Sequence, residues 1–185
     1  TFASTFLGVL GIENVAGVLA IGQLSEVIFI LVIPIALRVM GMKWALFAGM
    51  VLWGVRFALF AVAAETDNWV AIVAIALQGL CNDFFLVLAA MYIDRVAPVE
   101  LTAQAQSMLI LVVSGLGGFI GSFLSGEVFA AIGAADPGAT ASTWTPIWWI
   151  PIVAAIITAL LWGSLFRYSK KETLARIDTG AVATR

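Results

Sequence analysis

Residues 15–43 read VAGVLAIGQLSEVIFILVIPIALRVMGMK, and this stretch decides the fold class of the chain. Its first part is apolar over a length that can cross a lipid bilayer as a helix, for which about 20 residues are needed. Its end, RVMGMK, is short and basic, as cytoplasmic loops of membrane proteins are. The stretch therefore predicts a membrane-spanning helix and, through it, an all-α membrane protein.

The composition extends this prediction to the whole chain of 185 residues. Hydrophobic residues make up 63% and charged residues 11%, and the mean hydropathy is +1.10, whereas soluble domains carry about 25% charged residues. So few charged side chains cannot cover a water-facing surface. Histidine, a common proton relay and metal ligand, is absent from the sequence, and we expect neither a metal site nor a cofactor.

Five complete spans follow from the apolar runs, with the end of a sixth before them. The predicted spans cover residues 15–37, 44–63, 69–93, 103–131 and 147–168. Residues 1–10 have the composition of the last part of a further spanning helix. We therefore divide the chain into a transmembrane bundle, residues 1–168, and a polar cytoplasmic tail, residues 169–185.

The basic residues predict how these spans are oriented, because all of them except Arg56 fall on one face of the membrane. They are Arg38, Lys43, Arg95, Arg167, Lys170, Lys171, Arg176 and Arg185. Cytoplasmic loops carry the excess of lysine and arginine. We therefore expect a multi-pass protein of the inner (plasma) membrane with a cytoplasmic C-terminus.

Besides Arg167 at the cytoplasmic end of the last span, four ionisable residues lie inside the predicted spans: Glu26, Arg56, Asp83 and Glu127. A charge at the bilayer centre costs at least roughly 2.5–3.5 kcal/mol, so such residues usually face a bundle interior or a water-filled path. We interpret Glu26 and Asp83 as functional, and Glu127, near the outer end of its helix, as a residue that reaches the interface. For Arg56 we consider a gating contact, a substrate contact and a structural ion pair with either acid, and we favour the ion pair.

Amide side chains accompany both acids. Gln23 and Glu26 are three residues apart and share a helix face, and Gln78 and Asn82 are four apart with Asp83 adjoining. Each span thus brings an amide and a carboxylate to the middle of the membrane, where secondary transporters bind substrates and coupling ions. We predict a substrate site formed by Gln23, Glu26, Gln78 and Asn82, with proton coupling at Asp83 or Glu26.

This set of residues suits a polar, uncharged ligand that contains a ring. Amides offer paired donors and acceptors, and burial disfavours the ionised form of a carboxylate, which lets it exchange protons. Phe29, Phe84 and Phe85 offer flat surfaces for stacking. The alternative for the amides is structural, because asparagine and glutamine also link membrane helices by hydrogen bonds.

The fourth complete span carries small residues at every fourth position: Ser114, Gly118, Ser122 and Gly126. Small side chains let helix backbones approach closely. We predict a helix-packing face and, as an alternative, a smooth surface along which the helix rocks during transport.

Three motifs resemble the C-terminal half of the bacterial nucleoside:proton symporters, a family of the major facilitator superfamily. They are Q-x-S-E-x-x-F-x-L-x-x-P at 23–34, W-x-x-R-F-x-L-F at 53–60 and D-F-F at 83–85. The resemblance continues through residues 103–106 and the glycine-rich span, and so covers most of the chain.

The resemblance implies a transporter of twelve helices in two six-helix bundles. This chain would supply the end of the seventh helix and the eighth to twelfth helices, and an N-terminal six-helix half would complete the protein. A nucleoside would bind between the halves with Gln23 and Glu26 as contacts, and Asp83 would serve in proton coupling or ligand binding. We therefore expect proton-coupled nucleoside uptake by alternating access, with a nucleoside, a proton and the bilayer as partners and no role for nucleic acid.

Three alternatives remain open from the residues alone. One is a transporter of the same superfamily for another small polar solute, such as a sugar, or for drugs. Another is a structural membrane subunit that transports nothing. An intramembrane enzyme is disfavoured, because the sequence has no histidine and no G-x-S-x-G motif, and its single cysteine, Cys81, has no base to activate it.

Overall fold

The computed structural model describes residues 2–136 and 138–166. Within these ranges the chain forms eight α-helices. They are α1 Ala3–Val9, α2 Val15–Phe29, α3 Ile33–Ala63, α4 Asn68–Asn82, α5 Leu88–Val96, α6 Thr102–Ile110, α7 Gly118–Ala131 and α8 Thr145–Leu165. Three 3-10 segments and two π-helical segments connect them: Ile30–Val32, Val99–Leu101, Ala141–Trp144, Asp83–Val87 and Leu111–Gly117.

Among the described residues, these elements join into four helical stretches that are long and apolar enough to cross a membrane. They are Val15–Ala63, Asn68–Val96, Val99–Ala131 and Ala141–Leu165. The chain is therefore a multi-pass membrane protein, as predicted. The predicted tail, residues 169–185, lies outside the described ranges.

The first stretch contains two spans. It has 49 residues, which at 1.5 Å per residue measure about 74 Å, more than twice the hydrocarbon thickness of a bilayer. Gly41 interrupts it with φ 75° and ψ 171°, a backbone conformation that is essentially restricted to glycine. The segment 38–43, predicted as a loop, is instead helical on both sides of this one residue, so a single glycine separates the first two predicted spans.

The core is built around α4, which packs against both α2 and α3, while α8 packs on α3. At one end of the bundle, Phe6, Phe60 and Trp148 form an aromatic cluster with ring centroids 4.7–6.0 Å apart. A second apolar cluster includes Ile33, Leu46, Phe84 and Leu88. The C-terminal half of α4, with Gln78 and Asn82, lies where α2 and α3 converge on it.

Glycines allow this convergence. A β-carbon on Gly79 of α4 would collide with the backbone of Ser25 and Glu26 on α2, and one on Gly22 would lie 3.2 Å from the carbonyl oxygen of Ile75. The absence of side chains at these two positions therefore lets α2 and α4 touch backbone to backbone, as small residues do in membrane helix pairs.

The stretch Val99–Ala131 stands apart from this core, and none of its residues is buried within the described structure. Gln106 joins it to the preceding span by donating to the carbonyl oxygen of Ala90 and to Asp94 Oδ1, both at 2.9 Å. A β-carbon at Gly118 or Gly126 would meet no atom within 4 Å. At these two glycines, the other described helices therefore do not come within contact distance, and the packing face formed by Ser114, Gly118, Ser122 and Gly126 stays a prediction.

Candidate functional site

The site begins with a hydrogen bond between the two spans in which acids were predicted to act. Asn82, the last residue of α4, donates from Nδ2 to Glu26 Oε1 at 2.6 Å. Two residues chosen independently from the sequence therefore meet, and the carboxylate of α2 is held against the amide of α4.

Ser25 sets the register of this contact. Its hydroxyl donates to the carbonyl oxygen of Gly22 at 2.6 Å and accepts from the backbone N–H of Gly79 at 3.0 Å. Both ends of the hydroxyl are thus used, one within α2 and one across to α4. Since Ser25 directly precedes Glu26, this clasp fixes where the carboxylate enters the interface.

Arg56 holds the second amide of α4. Its terminal nitrogen donates to Gln78 Oε1 at 2.8 Å, and its Nε donates to the carbonyl oxygen of Ala74 at 3.1 Å. Three aromatic rings surround the guanidinium, which lies 5.2 Å from the ring centre of Trp53, 5.8 Å from that of Phe57 and 5.4 Å from that of Phe60. These distances are within the range of cation–π attraction. The cation is therefore stabilised by rings and by neutral acceptors.

The ion pair that the sequence favoured for Arg56 is not formed with any acid in residues 2–136 and 138–166. Arg56 is 6% exposed, and the hydrogen bonds of its guanidinium go to an amide and a backbone carbonyl. Glu26, one of the two predicted partners, is bonded to Asn82 instead. Trp53 and Phe60, three and four positions from Arg56 on the same helix, help to stabilise its charge. The sequence could not show this.

Asp83 is placed differently from Glu26. It is 5% exposed, and its Oδ2 atom is buried and accepts no hydrogen bond from the residues that the structure describes. It opens the π-helical segment Asp83–Val87, and such segments occur frequently at functional sites. A buried carboxylate oxygen without a donor is costly to leave charged. Asp83 therefore has the surroundings of a group that takes up either a proton or a ligand's hydrogen bond.

A cavity of about 790 Å³ lies beside this network. Arg56, Gln78 and Asn82 provide its polar wall, Trp53 and Trp148 provide aromatic surface, and Gly118 and Ser122 of the last-but-one span face it from the other side. Gln78 and Asn82 thus touch the cavity while also bonding to the charged side chains behind them. Half of the predicted small-residue face lines this space.

Gln23 is the predicted site residue that the network leaves out. Its side chain is exposed on α2 and makes no hydrogen bond within the described ranges. Gln23 and Glu26 share a face of α2, but only Glu26 turns far enough toward α4 to reach Asn82.

Sequence reasoning gave no role to Ser25, Gly79 or Trp53, although all three shape the site. Ser25 and Trp53 lie within motifs that were singled out, so their presence was visible but their function was not. Gly79 carried one available signal, its position between Gln78 and the pair Asn82 and Asp83, because a glycine among polar residues in a span is a point of close backbone approach.

The chain is similar to nucleoside carriers of known sequence. The profile of the family described as Nucleoside H+ symporter matches residues 1–171. Nucleoside permease NupG of Escherichia coli (strain K12) is 27% identical over 97% of this chain and 40% of the permease. Xanthosine permease of the same organism is 29% identical over 82% of this chain and 36% of that protein.

A solved structure shows the same fold. The crystal structure of the nucleoside transporter NupG matches with a TM-score of 0.77 and 27% sequence identity, over 91% of this chain and 44% of NupG. The predicted all-α membrane fold of the major facilitator superfamily is thereby confirmed. The chain spans about two fifths of the length of the relatives it matches.

These relatives are named as transporters and permeases, which agrees with the prediction that the chain is not an enzyme. The profile match covers nearly the whole sequence, including every motif on which the resemblance was based. The chain belongs to the nucleoside H+ symporter family.

Proposed function

We propose that this chain forms part of a transporter that takes up nucleosides together with protons by alternating access. The observation that carries the proposal is the contact between Glu26 and Asn82 beside the buried Asp83, in a member of the nucleoside H+ symporter family. Two acids and two amides meet where three spans converge, which is the arrangement of a mid-membrane substrate and ion site.

In this proposal the nucleoside is held by Gln23, Glu26, Gln78 and Asn82. Carboxylate oxygens only accept hydrogen bonds and so suit ribose hydroxyls, whereas the amides suit the mixed donors and acceptors of a base. Gln23 is exposed on α2, so it reaches the nucleoside from the side that faces the remaining half of the transporter.

Asp83 carries the proton. Its Oδ2 atom has no donor among the described residues, and protonation removes the charge from a carboxyl group whose residue is only 5% exposed. Glu26 already accepts a hydrogen bond from Asn82, so one of its oxygen atoms is engaged within the protein. In this proposal Glu26 therefore binds the ligand, and Asp83 couples transport to the proton.

The same proposal says which half of the transporter this chain forms and what lies around it in the membrane. Residues 1–168 form the C-terminal bundle, which pairs with an N-terminal six-helix half, and residues 169–185 form a tail. Exposed apolar side chains on α2 and the 3-10 segment that follows it, such as Leu24, Val27 and Leu31, are covered by lipid or by that half. The one-sided distribution of lysine and arginine supports an inner-membrane protein with a cytoplasmic C-terminus.

The test is uptake of labelled uridine and adenosine by cells that lack other nucleoside transporters and make the full-length protein, with and without a protonophore. We expect accumulation above the external concentration that collapses when the protonophore is added. Cells carrying an empty vector are the control. Absence of uptake in cells whose membranes contain the protein would reject the proposal, and a panel of sugars and lipophilic cations would then identify the substrate class.

A further inference from the structure

The two amides of α4 have fixed polarity, because each is bonded to a group that can act in only one way. Gln78 meets the guanidinium of Arg56 at 2.8 Å. Arginine has donors and no acceptor, so the oxygen of Gln78 must point toward Arg56. Its NH₂ group is therefore the part of Gln78 that remains for a ligand.

Arg56 cannot easily release Gln78. It is 6% exposed, its Nε is bonded to the carbonyl oxygen of Ala74, and Trp53, Phe57 and Phe60 surround its guanidinium. A buried guanidinium held on several sides keeps its hydrogen bond because leaving a donor unpaired is costly.

Asn82 has the opposite polarity. Its NH₂ group donates to Glu26 Oε1 at 2.6 Å, and the carboxyl oxygen is the acceptor in this contact. The oxygen of Asn82 is therefore the part that remains for a ligand. Gln78 and Asn82 are one helical turn apart and both line the cavity of about 790 Å³, so they present a donor and an acceptor side by side.

The positions of the acids decide which part of the base meets Gln78 and which part meets Asn82, if the acids hold the ribose as proposed above. Glu26 is bonded to Asn82, and Asp83 is its neighbour in the chain, so the ribose lies at the Asn82 end. The base then extends toward Gln78. Asn82 meets the ring nitrogen in the middle of the base edge, and Gln78 meets the substituent farther from the sugar.

We infer that Gln78 and Asn82, held by Arg56 and Glu26, select nucleosides whose base has a lactam edge, that is, a ring N–H beside a carbonyl oxygen. This inference rests on the proposed function. Uridine and inosine have this edge and complement the pair. Cytidine and adenosine carry an amino group beside an unprotonated ring nitrogen. The NH₂ group of Gln78 would then meet another donor, and the oxygen of Asn82 would meet another acceptor.

The test is initial-rate uptake of four nucleosides by cells that make the full-length protein and lack other nucleoside transporters. Uridine is compared with cytidine, and inosine with adenosine, because each pair differs only at the base edge in question. We expect uptake efficiencies about tenfold or more higher for uridine and inosine, since two mismatched hydrogen bonds are lost in each rejected base. 3-Methyluridine, which lacks the ring N–H, should compete as poorly as cytidine.

Variants distinguish selection by these two hydrogen bonds from selection by the shape of the base alone. Gln78→Leu removes the donor, and Arg56→Met frees the amide of Gln78 to rotate, so either change should reduce the preference to about threefold or less. The control is Gln104→Leu, which changes an exposed glutamine on α6 and should leave the preference unchanged. If Arg56→Met fails to reach the membrane, Gln78→Leu and the wild-type panel decide.

Each result has one meaning. Equal uptake of all four nucleosides, or a preference for cytidine and adenosine, would overturn the inference and leave proton-coupled nucleoside uptake standing. A uridine preference that persists in Gln78→Leu would overturn it as well. Uptake of none of the four by protein present in the membrane would reject the proposed function itself.

Discussion

Asn82 and Glu26 form the hydrogen bond, 2.6 Å long, that joins the fourth and second helices of this chain in the membrane interior. Both residues are polar. Among the described residues, neither Asn82 Nδ2 nor Glu26 Oε1 takes part in another hydrogen bond. Their pairing allows a carboxylate to remain inside an apolar bundle, because a buried charge that accepts a good hydrogen bond is far less costly than an isolated one.

We predict that Glu26 and Asn82 are energetically coupled. Asn82→Leu leaves the carboxylate without its donor and should destabilise the full-length protein by about 1–3 kcal/mol. Adding Glu26→Leu to Asn82→Leu should recover part of this loss, since both polar groups are then gone. Thermal unfolding in detergent of the two single variants and the double variant measures the coupling, and strictly additive effects would contradict the contact.

Asp83→Asn should separate transport from the proton gradient. Asparagine cannot take up a proton, so accumulation of uridine should fall to the external concentration while exchange of labelled for unlabelled uridine continues. The matched control is Glu127→Gln, which neutralises an exposed acid on α7 and should retain accumulation. Accumulation by Asp83→Asn that still collapses with a protonophore would assign the proton to another group.

Gly79→Ala should be one of the most damaging small substitutions in the chain. Its new β-carbon would collide with the backbone of Ser25 and Glu26, and overpacking of this kind costs about 1–3 kcal/mol. The matched control is Gly126→Ala, where a β-carbon meets open space and the gain in helix propensity is up to about 1 kcal/mol. Melting temperatures in detergent should therefore shift in opposite directions, and equal shifts would contradict the close approach of α2 and α4.

Gly41→Ala tests the break between the first two spans. A residue other than glycine at φ 75° and ψ 171° costs about 1–3 kcal/mol, although a β-carbon there would meet no neighbouring atom. Backbone strain is therefore the only expected cause of a lower melting temperature. Gly118→Ala, at a helical glycine that also has open space, is the control, and a Gly41→Ala protein as stable as that control would rule out the strained conformation.

Much of the fold could be predicted from the order of residues alone. Apolar runs of membrane length predicted the spans, because every backbone polar group in a bilayer must be satisfied inside its own helix. The acids and amides of the site could also be identified, since polar groups in such spans are rarely tolerated without a function. The break at Gly41 was less visible. The basic segment 38–43 predicts a boundary between two spans, but it does so whether the boundary is a loop or a single glycine between two helices.

The pairing of side chains was decided by the tertiary structure. The sequence determined that Glu26, Arg56, Gln78, Asn82 and Asp83 lie within spans, because hydrophobicity and helical spacing are local properties. It did not determine that Arg56 would bond to Gln78 while Glu26 bonded to Asn82. That choice depends on the glycines and Ser25, which set how closely and in what register the helices meet, and register is a relation between segments far apart in the chain.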